Sequence, residues 1–371
     1  MNRFSRHTAV LGIVFAGFAP STAQAWDRGE FENFATIPSF TPSGPGAACP
    51  DGATSCTSDI EGVTVGPDGT VYTPSFGFNS DGALSGYGEL FVFAPDGQLV
   101  EHFPVTGSSP HLIGLVYQQS SKSVLIADLG LGVVWRVDPK TQSTKLFMTA
   151  KKPKSAGLNA LTIDQAGNVY VSDSFQGVIW KTGPNGGTPT AWYAPGNAGQ
   201  NDLLLPTAND KEPLIPPFGA NGIEFNNEGT AMFALNTAYH SIIKIPVNPD
   251  GSAEAAQTFV TGINAPDGVA VDGDDNLWVV ANQGDEIVVV DPTGKVIAKR
   301  GDFNGLTDDG SIDGLLFPAS LLFSPNGKLL YVTNLALYLP FANVPEIAVD
   351  SGWTLKVKHY NVAKIAVQDF H

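Results

Sequence analysis

Charge is scarce in this 371-residue chain: Asp, Glu, Lys and Arg make up only 15% of it. Long solvent-facing helices need a charged side, so this profile suits short strands joined by turns better than such helices. Basic residues are the scarcer sign, 20 Lys and Arg against 36 Asp and Glu, for a net charge of −16. That balance argues against nucleic-acid backbones and anionic membrane surfaces as partners and is compatible with binding cations. Cysteine occurs only twice, as Cys49 and Cys56, and no Cys-x-x-Cys is present, which excludes a cysteine-built zinc module or a dithiol redox centre. Neither a Gly-x-Ser-x-Gly elbow nor a His-Glu-x-x-His helix occurs. The apolar run from Ala9 to Ala19 is too short to span a bilayer and no later segment is a candidate, so no membrane span is expected in the mature chain.

What is plentiful is glycine, 41 residues, and proline, 27, in a chain that is 43% apolar. This composition suits many short strands joined by tight turns. The amino terminus reads as a signal peptide over residues 1–25. Arg3 and Arg6 precede the apolar run, and Ala23-Gln24-Ala25 forms a small-residue cleavage site before Trp26. A periplasmic or secreted location follows, and there Cys49 and Cys56 are expected to pair as a clip on an N-terminal segment, residues 26–58.

From residue 59 to 371 one pattern recurs. A polar or small residue opens a short apolar strand, a Gly- or Asn-containing turn follows, and a second strand returns. Glu61-Gly62-Val63-Thr64-Val65 with Thr70-Val71-Tyr72 is the first copy. Asn159-Ala160-Leu161-Thr162-Ile163, Asn221-Gly222-Ile223-Glu224-Phe225 and Asp267-Gly268-Val269-Ala270-Val271 open later ones. A degenerate copy begins at Ile113 and a last one at Ser320, so the starts fall at 61, 113, 159, 221, 267 and 320. A third strand follows each pair, as in Val133–Val137 and Glu286–Val290, and a more polar fourth would complete the unit. Six such units predict an all-β fold, a six-bladed β-propeller of four-stranded antiparallel blades. Phe34–Ile37 and Val362–Val367 are the candidate strands for closing the ring.

The opening residues of the copies are Glu61, Ile113, Asn159, Asn221, Asp267 and Ser320. In a propeller, equivalent positions converge around the axis. Taken singly, each polar member is explained as a hydrogen-bonding group in a wet channel. Two carboxylates and two amides converging together call for a cation, because the carboxylates would otherwise repel. Hard oxygen donors suit Ca²⁺, and the residues alone leave Mg²⁺, Mn²⁺ and Zn²⁺ open.

The motifs Ile60-Glu61-Gly62, Leu158-Asn159-Ala160, Ala220-Asn221-Gly222-Ile223 and Pro266-Asp267-Gly268-Val269-Ala270-Val271-Asp272, the last followed by Leu277-Trp278-Val279, carry a family resemblance. The chain resembles the SMP-30/gluconolactonase/LRE-like superfamily of calcium-dependent lactonases and phosphotriesterases over roughly residues 55–335. The resemblance implies Glu61, Asn159, Asn221 and Asp267 as metal ligands, Asp267 doubling as catalytic base, and hydrolysis of a lactone or related ester. His111, in Ser109-Pro110-His111, is similar to a site histidine of the related paraoxonases and is a second catalytic candidate. The first motif reads Glu-Gly-Val where sugar lactonases carry Glu-Gly-Pro and an aromatic, and no counterpart of their substrate-gripping Arg is found. Insertions at 74–88, 182–217, 301–316 and 335–352 carry aromatics instead. With Tyr239 of the Thr237–Ile242 motif, Trp192 and Tyr338 are therefore candidates for contacting a small-molecule lactone or ester of apolar character.

Two other readings compete. Strictosidine-synthase-like propellers use the same ring for condensation or isomerisation, and a ligand-binding propeller with structural calcium needs no chemistry. Side chains from 335–352 plugging the channel above the metal would favour the latter.

Overall fold

A computed structural model describes residues 27–206, 217–344 and 351–367. The expected signal peptide lies outside them. Among the described residues six four-stranded antiparallel sheets stand around one axis, with almost no helix. The innermost strands are Thr64–Val65, Leu112–Gln118, Leu158–Ile163, Ala220–Phe225, Pro266–Val271 and Pro318–Phe323, in blades 1 to 6. Second and third strands are nearly all buried, as in Leu277–Ala281 and Glu286–Val290, because each lies between two neighbouring sheets. Outer strands such as Leu99–Pro104 are largely exposed.

Blade 6 closes the ring with both chain ends. Its inner pair, Pro318–Phe323 and Leu329–Asn334, is joined by Asn361–Ala366, and the amino-terminal strand Glu32–Thr36 is outermost. Both candidate closing strands are used, against each other, so the propeller starts before residue 59. The Cys49–Cys56 disulfide is present. Both cysteines are buried in the apolar cluster of Phe40, Ile60, Leu84 and Phe91, pinning residues 37–60 onto blade 1.

Side-chain clasps hold the turns. Asp272 accepts from the backbone N–H groups of Asp274 and Asn276 on one oxygen, and from Asn276 Nδ2 and Trp278 Nε1 on the other, each at 2.9–3.0 Å. Asp164 repeats this with Asn168 and Tyr170. A segment that begins like a calcium loop is thus a hairpin turn whose carboxylate is filled by protein donors.

The glycines of the repeated motifs have a packing role. A Cβ on Gly62 would lie 2.4 Å from the Ile113 carbonyl oxygen, on Gly114 2.2 Å from that of Asn159, on Gly222 2.2 Å from that of Asp267, and on Gly268 2.7 Å from that of Ala319. In each case the backbone of the next blade occupies the space of a side chain. Gly222→Ala is therefore expected to cost roughly 2–3 kcal/mol by forcing blades 4 and 5 apart. A denaturant titration with an unchanged midpoint would refute this.

One carboxylate at the far end of an inner strand strains against its surroundings. Glu224 is partly buried and accepts from Thr162 Oγ1 at 2.7 Å and from the Phe225 N–H at 2.8 Å, yet burial pushes its carboxyl up to about 7. The folded state holds this proton more tightly than the unfolded chain does. Its contribution is present at low pH and is lost as pH rises from the ordinary carboxylate range through 7. Glu224→Gln should match the parent near pH 5 and exceed it near pH 8 by about 1–2 kcal/mol. Thermal melts at the two pH values test this, and parallel pH profiles would contradict it.

Candidate functional site

The inner strands of blades 2 to 6 carry a register break near the axis, and in blade 1 the Ile60–Ser75 bridge is offset from the Thr64–Tyr72 pair in the same way. Leu158 pairs with Asp173 and Leu161 with Val171, leaving Asn159 and Ala160 opposite one residue. The same break falls at 113–114, 221–222, 267–268 and 319–320. Such irregularities re-aim side chains, here out of the sheet and toward the axis. In blade 6 the residue after the Pro318–Asn334 pair is Ala319, whose carbonyl meets Gly268 as that of Asp267 meets Gly222. The axial position of the last copy is therefore Ala319 and not Ser320. A one-residue offset in the alignment of a bulged strand is invisible to strand periodicity.

Glu61, Asn159, Asn221 and Asp267 line one cavity of about 60 Å³. That volume is enough to accommodate a cation with bound waters. Glu61 Oε2 is buried with no hydrogen-bond partner, as is Oδ2 of Asp59 two residues earlier. Burial first, then the charges of Asp267 and Asp59, hold the Glu61 carboxyl well above the usual range. Burial raises Asp267 to about 7, against hydrogen bonds from Asn221 and Asn282 that favour its charged form. Oxygen atoms without donors, on carboxylates that destabilise one another's charge, fit a divalent cation. Among the described residues no cluster of three or more His, Cys, Asp or Glu exists, so the amides of Asn159 and Asn221 are needed to complete a donor set.

A second ring is formed by the residue that follows the partner of each inner strand's first paired residue, as Ser174 follows Asp173 and Phe76 follows Ser75. Thr237 Oγ1 donates to the Pro266 carbonyl at 2.7 Å and accepts from Asn221 Nδ2 at 2.9 Å. Asn282 Nδ2 donates to Asp267 Oδ2 and to the Pro318 carbonyl, both at 2.9 Å. Ser174 Oγ donates to the Ala220 carbonyl at 2.7 Å. The matching positions in blades 1, 2 and 6 are Phe76, Leu129 and Leu335. Blades 3, 4 and 5 thus offer polar groups at both levels, whereas blades 6, 1 and 2 are apolar apart from Glu61. Thr237 and Asn282 line the cavity and were missed from sequence. Aligning the ends of the second strands, at Asp173-Ser174, Asn236-Thr237 and Ala281-Asn282, would have found them.

In an antiparallel meander, the links from second to third strand and from blade to blade emerge on the face where the inner strands begin. The insertions at 74–88, 194–219, 301–317 and 335–360 all use these links. They bring Phe76, Phe218, Phe317, Leu335, Leu337, Leu339 and Val344 over the cavity. The last four roof it from the blade 6 insertion and are themselves buried. Non-glycine residues in left-handed backbone stand near both ends of this roof, Ala336 at φ 46° and Asn343 at φ 59°, a conformation that the surrounding structure must enforce.

The remaining candidates lie outside the cavity wall. His111 Nδ1 donates to the Phe76 carbonyl at 2.9 Å, and its ring stacks on Phe78 at 4.9 Å. Tyr338 packs edge-on against Phe341, beside the roofing leucines. Tyr239 follows Thr237 in the turn to the third strand of blade 4. Trp192 is in the outermost strand of blade 3, bonded to the Gly251 carbonyl and packed on Tyr170, far from the axis. The structure therefore brings Glu61, Asn159, Asn221 and Asp267 to one cavity and leaves Trp192 with the blade packing. His240 Nδ1 accepts from the Ala265 N–H at 2.9 Å and serves the link to blade 5.

The sequence profile of the SMP-30/Gluconolactonase/LRE-like region matches residues 88–300. No curated protein sequence matches significantly. Among solved structures, the calcium-binding protein regucalcin from Agrobacterium tumefaciens is 17% identical, with a TM-score of 0.59 over 84% of this chain and 92% of that one. A gluconolactonase from Xanthomonas campestris is 13% identical, with a TM-score of 0.56 over 91% and 99%. A streptogramin B lyase is 15% identical, with a TM-score of 0.54 over 93% and 100%. At these identities the likeness establishes the fold alone.

Proposed function

Since the chain belongs to the SMP-30/Gluconolactonase/LRE-like family, we propose that it is a calcium-dependent hydrolase of a lactone or related ester, acting in the periplasm or outside the cell. The observation that carries this reading is the convergence of Glu61, Asn159, Asn221 and Asp267 on one cavity, with Glu61 Oε2 left without a donor. These four residues would hold the cation, with waters or substrate completing its shell. Calcium bound there would supply a Lewis acid for the carbonyl oxygen. Asp267 takes the proton of the attacking water, its Oδ2 steadied by Asn282. Thr237 and Asn282 tie the neighbouring blades so that Asn221 and Asp267 keep their separation. The Nδ1 bond of His111 to the Phe76 carbonyl orients its ring and leaves Nε2 as the proton-accepting atom, which keeps it as the second catalytic candidate.

Among the described residues the cavity wall carries no Lys, Arg or His, and Phe76, Ile113, Leu129, Phe218, Phe317 and the roofing side chains make most of it apolar, which favours an apolar substrate. The roof of Leu335, Leu337, Leu339 and Val344 over the donors also favours a second reading, a ligand-binding propeller with structural calcium. A panel of lactones and esters, assayed with and without chelator and followed by mass spectrometry, separates the two. A water-added product that disappears on chelation supports hydrolysis. Calcium binding without turnover supports the second reading, and an isomerised or cleaved product without added water would overturn hydrolysis in favour of lyase or isomerase chemistry.

A further inference from the structure

Apolar contact continues from the cavity to solvent at one place on the rim, between blades 2 and 3. Leu129 lines the cavity, and Leu131, two residues along the same turn, is 44% exposed. Phe218 lines the cavity, and its ring stacks on that of Phe175 at 5.7 Å and 28°, which is also 44% exposed. Both turns grip the link between the two blades. Ala150 N–H donates to the Gly132 carbonyl at 3.0 Å, and Gln176 Nε2 donates to the Lys151 carbonyl at 3.3 Å. That link reads Lys151-Lys152-Pro153-Lys154. All three lysines are exposed, and none forms an ion pair among the described residues. In a chain of net charge −16, this is a local concentration of positive charge seated between two exposed apolar side chains.

We infer that this rim is the tail subsite of the enzyme: the substrate is an amphiphile whose apolar chain leaves the cavity along Leu129–Leu131 and Phe218–Phe175, and whose far end carries an acidic group that meets Lys151, Lys152 and Lys154. The inference rests on the hydrolase reading for the reacting end and adds the chemistry of the other end. An alkyl chain on such a wall gains about fourfold in binding per methylene buried. An exposed lysine cluster adds a smaller, salt-sensitive attraction for a carboxylate. Both interactions are made equally in ground and transition states, so they act on KM and leave kcat unchanged.

The test uses the calcium-loaded protein and a short lactone, a long-chain alkyl lactone, and the same long-chain lactone with a terminal carboxylate. The unmodified protein should prefer them in that ascending order. Phe175→Ala should raise KM for both long substrates about tenfold and leave the short one unchanged. The Lys151→Ala, Lys152→Ala, Lys154→Ala triple variant should raise KM roughly threefold to tenfold for the carboxylated substrate alone and remove its salt dependence. Equal KM effects on short and long lactones, or no preference for length in the unmodified protein, would overturn the subsite. Calorimetric titration with dodecanoate gives a readout independent of turnover. If no lactone is hydrolysed but dodecanoate binds and Phe175→Ala weakens it, the subsite stands and the hydrolase reading falls. If lactones are hydrolysed and dodecanoate does not bind, the reverse holds.

Discussion

Asp267→Asn is expected to lower kcat for lactone hydrolysis on the order of 10²- to 10⁴-fold, the range lost when a positioned general base is removed. Asparagine keeps an oxygen for Asn282 Nδ2 to reach and a donor for a cation, so the fold and much of the metal site should persist. It cannot take a proton from water. The loss should therefore fall on kcat, with KM nearly unchanged. Removing this carboxylate also relieves its repulsion of Glu61, so the metal-free variant should melt no lower than the metal-free parent. Full rate in Asp267→Asn would remove Asp267 as the base.

Stripping calcium from the protein is expected to abolish turnover and to lower Tm by roughly 5–15 °C, since a cation a thousandfold above its Kd contributes about 4 kcal/mol. The loss should depend on pH in a definite direction. Without a cation, Glu61 and Asp267 are held above their ordinary values, Asp267 at about 7. The folded metal-free protein then binds more protons than the unfolded chain between the ordinary carboxylate range and pH 7. Its stability is greatest below that window and declines as pH rises through it. The calcium-loaded protein has its carboxylates charged and compensated, so it should show no such decline. The gap between the loaded and stripped melting curves should widen from pH 5 to pH 8, and calcium binding near pH 6 should release protons. Melts with and without chelator across this range, together with calorimetry in buffers of different ionisation enthalpy, measure both. A chelator-insensitive Tm at pH 8 would rule out this site as a stable calcium site.

The two expectations share a structural cause. The carboxylates are fixed by backbone that cannot relax, because Gly222 and Gly268 let the blades approach until the backbone of one fills the side-chain space of the next. Asp267 and Glu61 are both buried on one cavity, so a proton or a cation offsets the cost of their charges.

By itself, the sequence determined the ring and its axial donors. Strand, turn and strand are specified by neighbouring residues, as in Asp272–Trp278, where one carboxylate closes the turn and holds the next strand. Repetition of that local unit makes Glu61, Asn159, Asn221 and Asp267 equivalent, and equivalence in a closed ring places them together. Three matters were decided only by tertiary structure. The bulge register chose Ala319 over Ser320, because two residues compete for one place opposite the second strand. Packing across blades kept Trp192 in an outer strand against Tyr170 and Phe225, since an aromatic in an insertion can serve a sheet as readily as a site. The roof of Leu335, Leu337, Leu339 and Val344 arises from contacts between segments distant in the chain, and no local pattern of apolar or polar residues encodes which segment will cover the axis.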